Sequence, residues 1–349
     1  MSGRKTTFGL LACLLPWIAS APVAGAAEFK VLVQDTPSPQ TWMMQVPFWT
    51  KTVPEKTNGA LTATLSNHDQ MGLDDKAILR LLKMGVFDFA TFDVSKMSGD
   101  DPRFEGCDLA GLSLDFETVY KACDAYRPVI AELMEKNWNA KLLSFGVAPP
   151  QVFWCNTPVT DLASLKGKKV RVFNKSMIDL LTGIGAEPIS MNFGEVVPSL
   201  QRGVIDCAVT GTLVGNTGGW TEVSKYYYPL YLGWSVNVTA ANIGSWNKMS
   251  DENKAFFEKE MKQFELDFWK TMEEANQDAE NCNFNKQPCK LGKLADMTLV
   301  PMTDKDQESV RSVFENVVLK RWGQRVGPEA SKEWNDTVGK TLNMKITAP

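Results

Sequence analysis

Apolar and polar positions change period several times along this chain. Phe29-Lys30-Val31-Leu32-Val33 reads as a strand, and Leu61 to Leu65 alternates in the same way. Helical spacing is predicted over 40–53 and 74–84, the second on Ile78, Leu81 and Leu82, with Gly85 as its stop. A strand over 86–92 completes the order strand, helix, strand, helix, strand, which calls for parallel pairing with right-handed crossovers. From Lys169 the order returns, with strands predicted over 170–173, 188–191 and 204–210 and helices over 177–183 and 194–202. The echo reaches single residues. LLKMGVFDFA (81–90) lies over SLQRGVIDCA (199–208) at an offset of 118, matching Leu82 with Leu200, Gly85 with Gly203, Val86 with Val204, Asp88 with Asp206 and Ala90 with Ala208. Two similar α/β units follow from this repetition.

The third region is helical. Ser250 is a good N-cap, and Asp251 and Glu252 suit the positive end of a helix. Phe257, Met261, Phe264, Phe268, Met272, Ala275 and Ala279 then form a continuous apolar stripe. At 1.5 Å per residue such a helix is about 45 Å long, enough to span two units. A loop is expected over 281–298 and a further helix over 308–322.

One charge interrupts the strand pattern. In GKKVRVFNKS (167–176), Val170 and Val172 share one strand face and Arg171 and Phe173 the other. A buried guanidinium without a partner is costly, and a ligand carboxylate is one partner it could take. An edge-strand arginine with its head in water, or paired with a protein acid, fits the same spacing.

The 349 residues are 44% hydrophobic and 22% charged, an ordinary globular balance. The first 26 read as a secretory signal peptide: basic Arg4 and Lys5, an apolar run over 10–21, and Ala24-Gly25-Ala26 before the cleavage point. Cleavage removes two bases and no acid, taking the formal charge from −4 to −6. Nothing here resembles the basic face a nucleic acid needs. Cys107, Cys123, Cys155, Cys207, Cys282 and Cys289 remain, an even number in an oxidising compartment. The simplest pairing of the 15 possible is Cys107–Cys123, Cys282–Cys289 and Cys155–Cys207; free buried thiols are the alternative.

Catalytic signals are scarce. His68, the single histidine, sits in the polar turn SNHDQMG and reads as a surface residue, with no G-x-S-x-G beside it. Neither a phosphate loop nor G-x-G-x-x-G is present. One histidine and no C-x-x-C give no metal site. A binding architecture remains, with its ligand beyond the C-terminal strand ends and between two units.

Residues 162–211 resemble the solute-binding proteins of TRAP (tripartite ATP-independent periplasmic) transporters. The match rests on Leu165-Lys166-Gly167, Lys169, Arg171-Val172, Gly185-Ala186-Glu187-Pro188, Phe193, Glu195-Val196, Leu200-Gln201, Gly203 and Asp206. The resemblance implies an α/β two-domain clamshell with a long helix spanning both domains. Domain I would be 27–148 with 236–279, and domain II 149–235 with 280–349. It implies a monomeric periplasmic receptor, without cofactor, that hands a small organic acid to membrane permease subunits. Arg171 would pair with the ligand carboxylate and Phe193 would pack on the ligand. Thr210, Gln34 and Asp93 would lie at strand ends facing it. The family's sugar-acid binders carry a second arginine where this chain has Gln151, which argues against a sialic-acid-type ligand. The stretch GTLVGNTGGW (211–220) departs from the family pattern. Trp42, Trp154, Trp220 and Trp234 fall near the predicted cleft edges, where they would face an apolar acid or simply fill core. Two rival readings share the two-lobed fold: a periplasmic carboxylate-processing enzyme, and a binding protein that reports to a sensor.

Overall fold

A computed structural model describes residues 26–347, position 74 excepted. The proposed signal peptide therefore lies outside the described residues, apart from Ala26. Among those described, the strands form two sheets. The first contains β1 (Ala27–Val33), β2 (Leu61–Asn67), β3 (Phe89–Asp93), β4 (Ala140–Gly146) and β10 (Asn237–Asn242), in the order β2-β1-β3-β10-β4. The second contains β5 (Gln151–Cys155), β6 (Lys169–Val172), β7 (Glu187–Ser190), β8 (Cys207–Gly211), β9 (Tyr226–Tyr228) and β11 (Thr298–Leu299), in the order β11-β9-β5-β8-β6-β7. The pairs β1–β2, β1–β3, β6–β7 and β6–β8 are parallel, as the alternating order of elements requires. In each sheet a strand from elsewhere in the chain enters antiparallel: β10 beside β3, and β5 beside β8.

The internal echo has a structural counterpart. β3 and β8 begin and end 118 residues apart, as the sequence match does. Gly85 and Gly203 both take positive φ, 72° and 68°, and turn the chain from helix to strand. Just before each strand an aspartate is locked to the neighbouring strand in the same way. The Lys30 amide donates to Asp88 Oδ2 at 2.8 Å, and the Lys169 amide donates to Asp206 Oδ2 at 2.8 Å. The paired Leu82 and Leu200 are both buried.

The long helix runs Asp251–Asn283, with the Ser250 side chain accepting from the Asn253 amide at 3.2 Å. Every residue of its predicted apolar stripe is buried. Phe257 packs against Phe29, Trp49 and Phe89 under the first sheet. Further on, Ala275 and Ala279 meet Leu213, and Asn276 Oδ1 accepts from Thr212 Oγ1 at 2.7 Å, both beside the second sheet. The helix thus touches both lobes. The C-terminal helices do the same. Trp322 and Trp334 donate their indole N–H groups to the carbonyls of Pro102 and Gly106. Arg321 and Arg325 pair with Asp179 on the helix Lys175–Ile184.

All three cysteine pairs are disulfides: Cys107–Cys123, Cys155–Cys207 and Cys282–Cys289. Cys155 and Cys207 face each other across the β5–β8 pair. His68 departs from the expectation. It is only 4% exposed, because the turn after β2 folds back and the His68 amide donates to the Val33 carbonyl.

Replacing Phe257 by alanine removes an aromatic anchor from a fully buried site and should lower folding stability by about 3–5 kcal/mol. Urea denaturation would register it; a loss below about 1 kcal/mol would mean the helix is not held by this face.

Candidate functional site

The C-terminal ends of β1, β3, β6 and β8 converge on one cavity between the sheets, with about 580 Å³ of empty space including the part open to solvent. Gln34 follows β1, Asp93 ends β3, Thr210 lies in β8, and Arg171 and Phe173 come from β6 and the residue after it. Gln151, first residue of the antiparallel β5, points into the same space, as does Ser235 just before β10. Strand ends carry backbone groups beyond the reach of the sheet ladder, so polar side chains and a ligand can gather there.

Arg171 sits on an interior strand, between Ile189 of β7 and Ala208 of β8, and is 4% exposed. Its Nε donates to the Met191 carbonyl at 3.0 Å and one terminal nitrogen donates to the Val209 carbonyl at 2.9 Å. The guanidinium also lies 5.3 Å from the centre of the Phe173 ring. These contacts fix the plane of the group at the cavity wall.

The first lobe supplies a facing wall. Gln34 Oε1 accepts from Gln45 Nε2 at 2.7 Å, and Gln45 Oε1 accepts from the Gln34 amide at 3.0 Å, a reciprocal pair that fixes both side chains. Asp93 is buried. One of its oxygens accepts from the Ser95 amide and hydroxyl at 2.9 and 2.8 Å, and the other accepts from the Ser235 hydroxyl. Lys96 also lines the cavity. Ser235 has φ of +48°, a backbone state that costs free energy for a residue with a side chain. Gln40, which the sequence pattern did not single out, contributes to this wall as well.

The tryptophans divide. Phe193 faces the cavity and stacks on Trp220 with ring centres 5.4 Å apart. Trp154 and Trp234, expected at the ligand, are fully buried instead. Trp154 donates its indole N–H to the Thr210 carbonyl, and Trp234 donates to the Ser113 carbonyl. Both sit on strands or crossings buried on every side, so a cleft-edge position in sequence did not become a cleft-facing side chain. Trp42 is 40% exposed and lies outside the lining. The odd stretch GTLVGNTGGW now has a cause. A Cβ on Gly215 would stand 2.4 Å from the Trp154 ring, and one on Gly218 would stand 2.8 Å from the Val214 carbonyl and 3.0 Å from the Phe193 ring. The glycines make room for the aromatic layer behind the cavity.

Two further acids lie behind the first-lobe wall. Glu105 Oε1 accepts from the amides of Lys175 and Ser176 at the start of the helix Lys175–Ile184, at 3.0 Å each. Asp108 accepts from the Trp234 amide with both oxygens. Burial pushes Glu105 up to about 7, against the opposing pull of these amides and Arg325. Burial pushes Asp108 up to about 8, helped by the charges of Asp93 and Glu105. Asp93 is raised too, chiefly by burial, with Lys96 and the serine donors opposing. Among the described residues no cluster of histidine, cysteine and acid side chains could hold a metal ion, and no helix is long and apolar enough to cross a membrane.

Two lobes, a polar cavity at their strand ends and an oriented cation in its wall define a ligand-capturing protein. The chain belongs to family 7 of the bacterial extracellular solute-binding proteins, the DctP family, whose model matches residues 32–323. The fold is that of TRAP solute receptors. A Bordetella pertussis extracytoplasmic solute receptor binding pyroglutamic acid superposes with a TM-score of 0.79 at 21% identity, over 90% of this chain and 99% of that one. A Desulfovibrio salexigens TRAP solute-binding protein with bound orotic acid gives 0.78 at 18% identity, over 90% and 98%. In sequence, the sialic acid-binding periplasmic protein SiaP of Vibrio cholerae is 26% identical over 73% of this chain and 79% of its own length. A Salmonella typhimurium relative, 27% identical, is matched over 50% of this chain and 54% of its own length. The family consists of periplasmic solute-binding receptors, not enzymes, and TRAP receptors work with membrane permease subunits.

Two predictions follow from this geometry. Between the ordinary values of 4.5 for Glu105 and 3.8 for Asp108 and their raised values near 7 and 8, the folded chain holds protons that the unfolded chain has released. Folding therefore takes up protons across this window, and stability should fall as pH rises from about 5 to 8. The variants Glu105→Gln and Asp108→Asn should flatten that slope in urea melts; an unchanged slope would remove both groups as its source. Gly215→Ala should lower the melting temperature by overpacking against Trp154, a cost of about 1–3 kcal/mol, and calorimetric melting would measure it.

Proposed function

We propose that this TRAP-type receptor captures a small organic acid anion, with Arg171 taking its carboxylate. The supporting observation is the arginine itself: a cation brought into an interior strand, oriented by hydrogen bonds to the Met191 and Val209 carbonyls and set in the wall of the cavity. A carboxylate is the ligand group whose charge and planar geometry match a guanidinium. Phe193, held flat by Trp220, would pack on the body of the ligand, with Thr210, Gln151, Gln34 and Asp93 as polar contacts. With Gln151 where sugar-acid binders have a second arginine, one guanidinium rather than two orients the acid. The solved relatives named above hold cyclic acids of this size, pyroglutamic and orotic.

In this reading the two lobes, 27–148 with 236–279 and 149–235 with 280–349, close on the anion about their connecting segments. The closed form is then presented to the permease. In this reading the receptor works as a monomer.

Arg171→Ala should reduce affinity for the bound acid at least a hundredfold, and Arg171→Lys should restore only part of it, because an ammonium cannot make two parallel bonds. Isothermal titration calorimetry, with the acid first found by thermal shift, checks both. Equal affinity of wild type and Arg171→Ala would sink the assignment.

A further inference from the structure

Deep in the first-lobe wall lies an acceptor that the fold does not satisfy. Gln40 is 3% exposed, and its Oε1 has no hydrogen-bond partner among the described residues. It lines the same cavity as Arg171. Leaving a buried acceptor unmet costs about 1–3 kcal/mol. Burial of an amide in this helical segment does not by itself force that cost. Gln45, a little over one turn further on, is fully buried, and both its amide nitrogen and its carbonyl oxygen are engaged by Gln34. The neighbouring Thr41 Oγ1 is unmet as well, and of the two residues Gln40 is the one that lines the cavity.

Asp93 is another buried acceptor lining the same cavity. Its two oxygens take three donors, from the Ser95 amide, the Ser95 hydroxyl and the Ser235 hydroxyl. A carboxylate has about four lone-pair sites, so capacity remains. The residue that braces it, Ser235, is held at positive φ, which the surrounding fold must impose. Lys96 also lines the cavity, and its charge acts on the Asp93 carboxyl.

We propose that Gln40 Oε1 and the Asp93 carboxylate form a subsite for a hydrogen-bond donor of the ligand. The acid this protein carries then has a hydroxyl or N–H group away from its carboxylate, and a dicarboxylate is rejected. A donor satisfies Gln40 and fills the remaining capacity of Asp93. A second carboxylate brought to the same place offers no proton and meets like charge, so discrimination arises from unmet acceptors as much as from attraction. This inference rests on the reading in which Arg171 takes the first carboxylate.

The test compares matched acids by thermal shift and calorimetry on the purified protein. One series is 4-hydroxybutyrate, butyrate and succinate; the other is pyroglutamate and cyclopentanecarboxylate. In at least one series the donor-bearing acid should bind tenfold or more tightly than its donor-free partner, with succinate weakest in the first. Gln40→Leu should abolish that preference. Gln40→Glu, which keeps the acceptors, should retain the preference and weaken succinate further; it serves if the leucine variant does not fold. Equal binding within both series, or a preference for succinate, overturns the donor subsite while leaving the Arg171 reading intact. Binding of the acids that survives Arg171→Ala overturns the Arg171 reading instead, and no binding by any of the five acids overturns both.

Discussion

A guanidinium buried in an interior β-strand is the constraint around which this structure is arranged. Arg171 could not stay there on strand pairing alone, because removing a charge from water costs several kcal/mol. The carbonyls of Met191, just past β7, and Val209, within β8, accept from it. Their position depends on β6 lying between β7 and β8, and so on the parallel crossovers that put it there. The charge, the sheet order and the location of the cavity are one arrangement.

The opposite wall is built by different means. Among the described residues its cation is Lys96 rather than an arginine. Gln34, Gln40, Asp93 and Ser235 line it; Gln45 braces Gln34, Ser95 and Ser235 brace Asp93, and Gln40 Oε1 is left unmet. Behind them, Glu105 and Asp108 hold the start of the helix Lys175–Ile184 and the segment entering β10. A first-lobe carboxylate thus caps a helix that begins just after Arg171. The elements that carry the two walls are tied together by buried acids whose protonation sits near neutrality.

Much of the fold was legible in the pattern. The repeated strand–helix order predicted the parallel pairs, the 118-residue echo marked the equivalent strands β3 and β8, and the long stripe predicted the helix Asp251–Asn283. The cysteine pairs followed from the even count and the simplest neighbours. The helix Phe116–Trp138 was not found; Pro128 lies inside it and masks its helical character. The strands β4, β5 and β10 were missed for another reason. They are buried wholly or largely on both faces, so no alternation marks them. His68 read as a surface turn because its neighbours are polar, yet the turn closes over β1.

The sequence by itself determined the class of protein, the export signal as a pattern, and the one charged strand position worth asking about. Those are local facts, carried by period, composition and motif. Tertiary structure decided what the charge faces, which tryptophans are core, and why GTLVGNTGGW carries its glycines. It alone showed the unmet acceptor on Gln40. Each of these depends on residues far apart in the chain arriving at the same strand ends. Burial and hydrogen-bond satisfaction are properties of that meeting, not of the stretch of chain in which a residue is written.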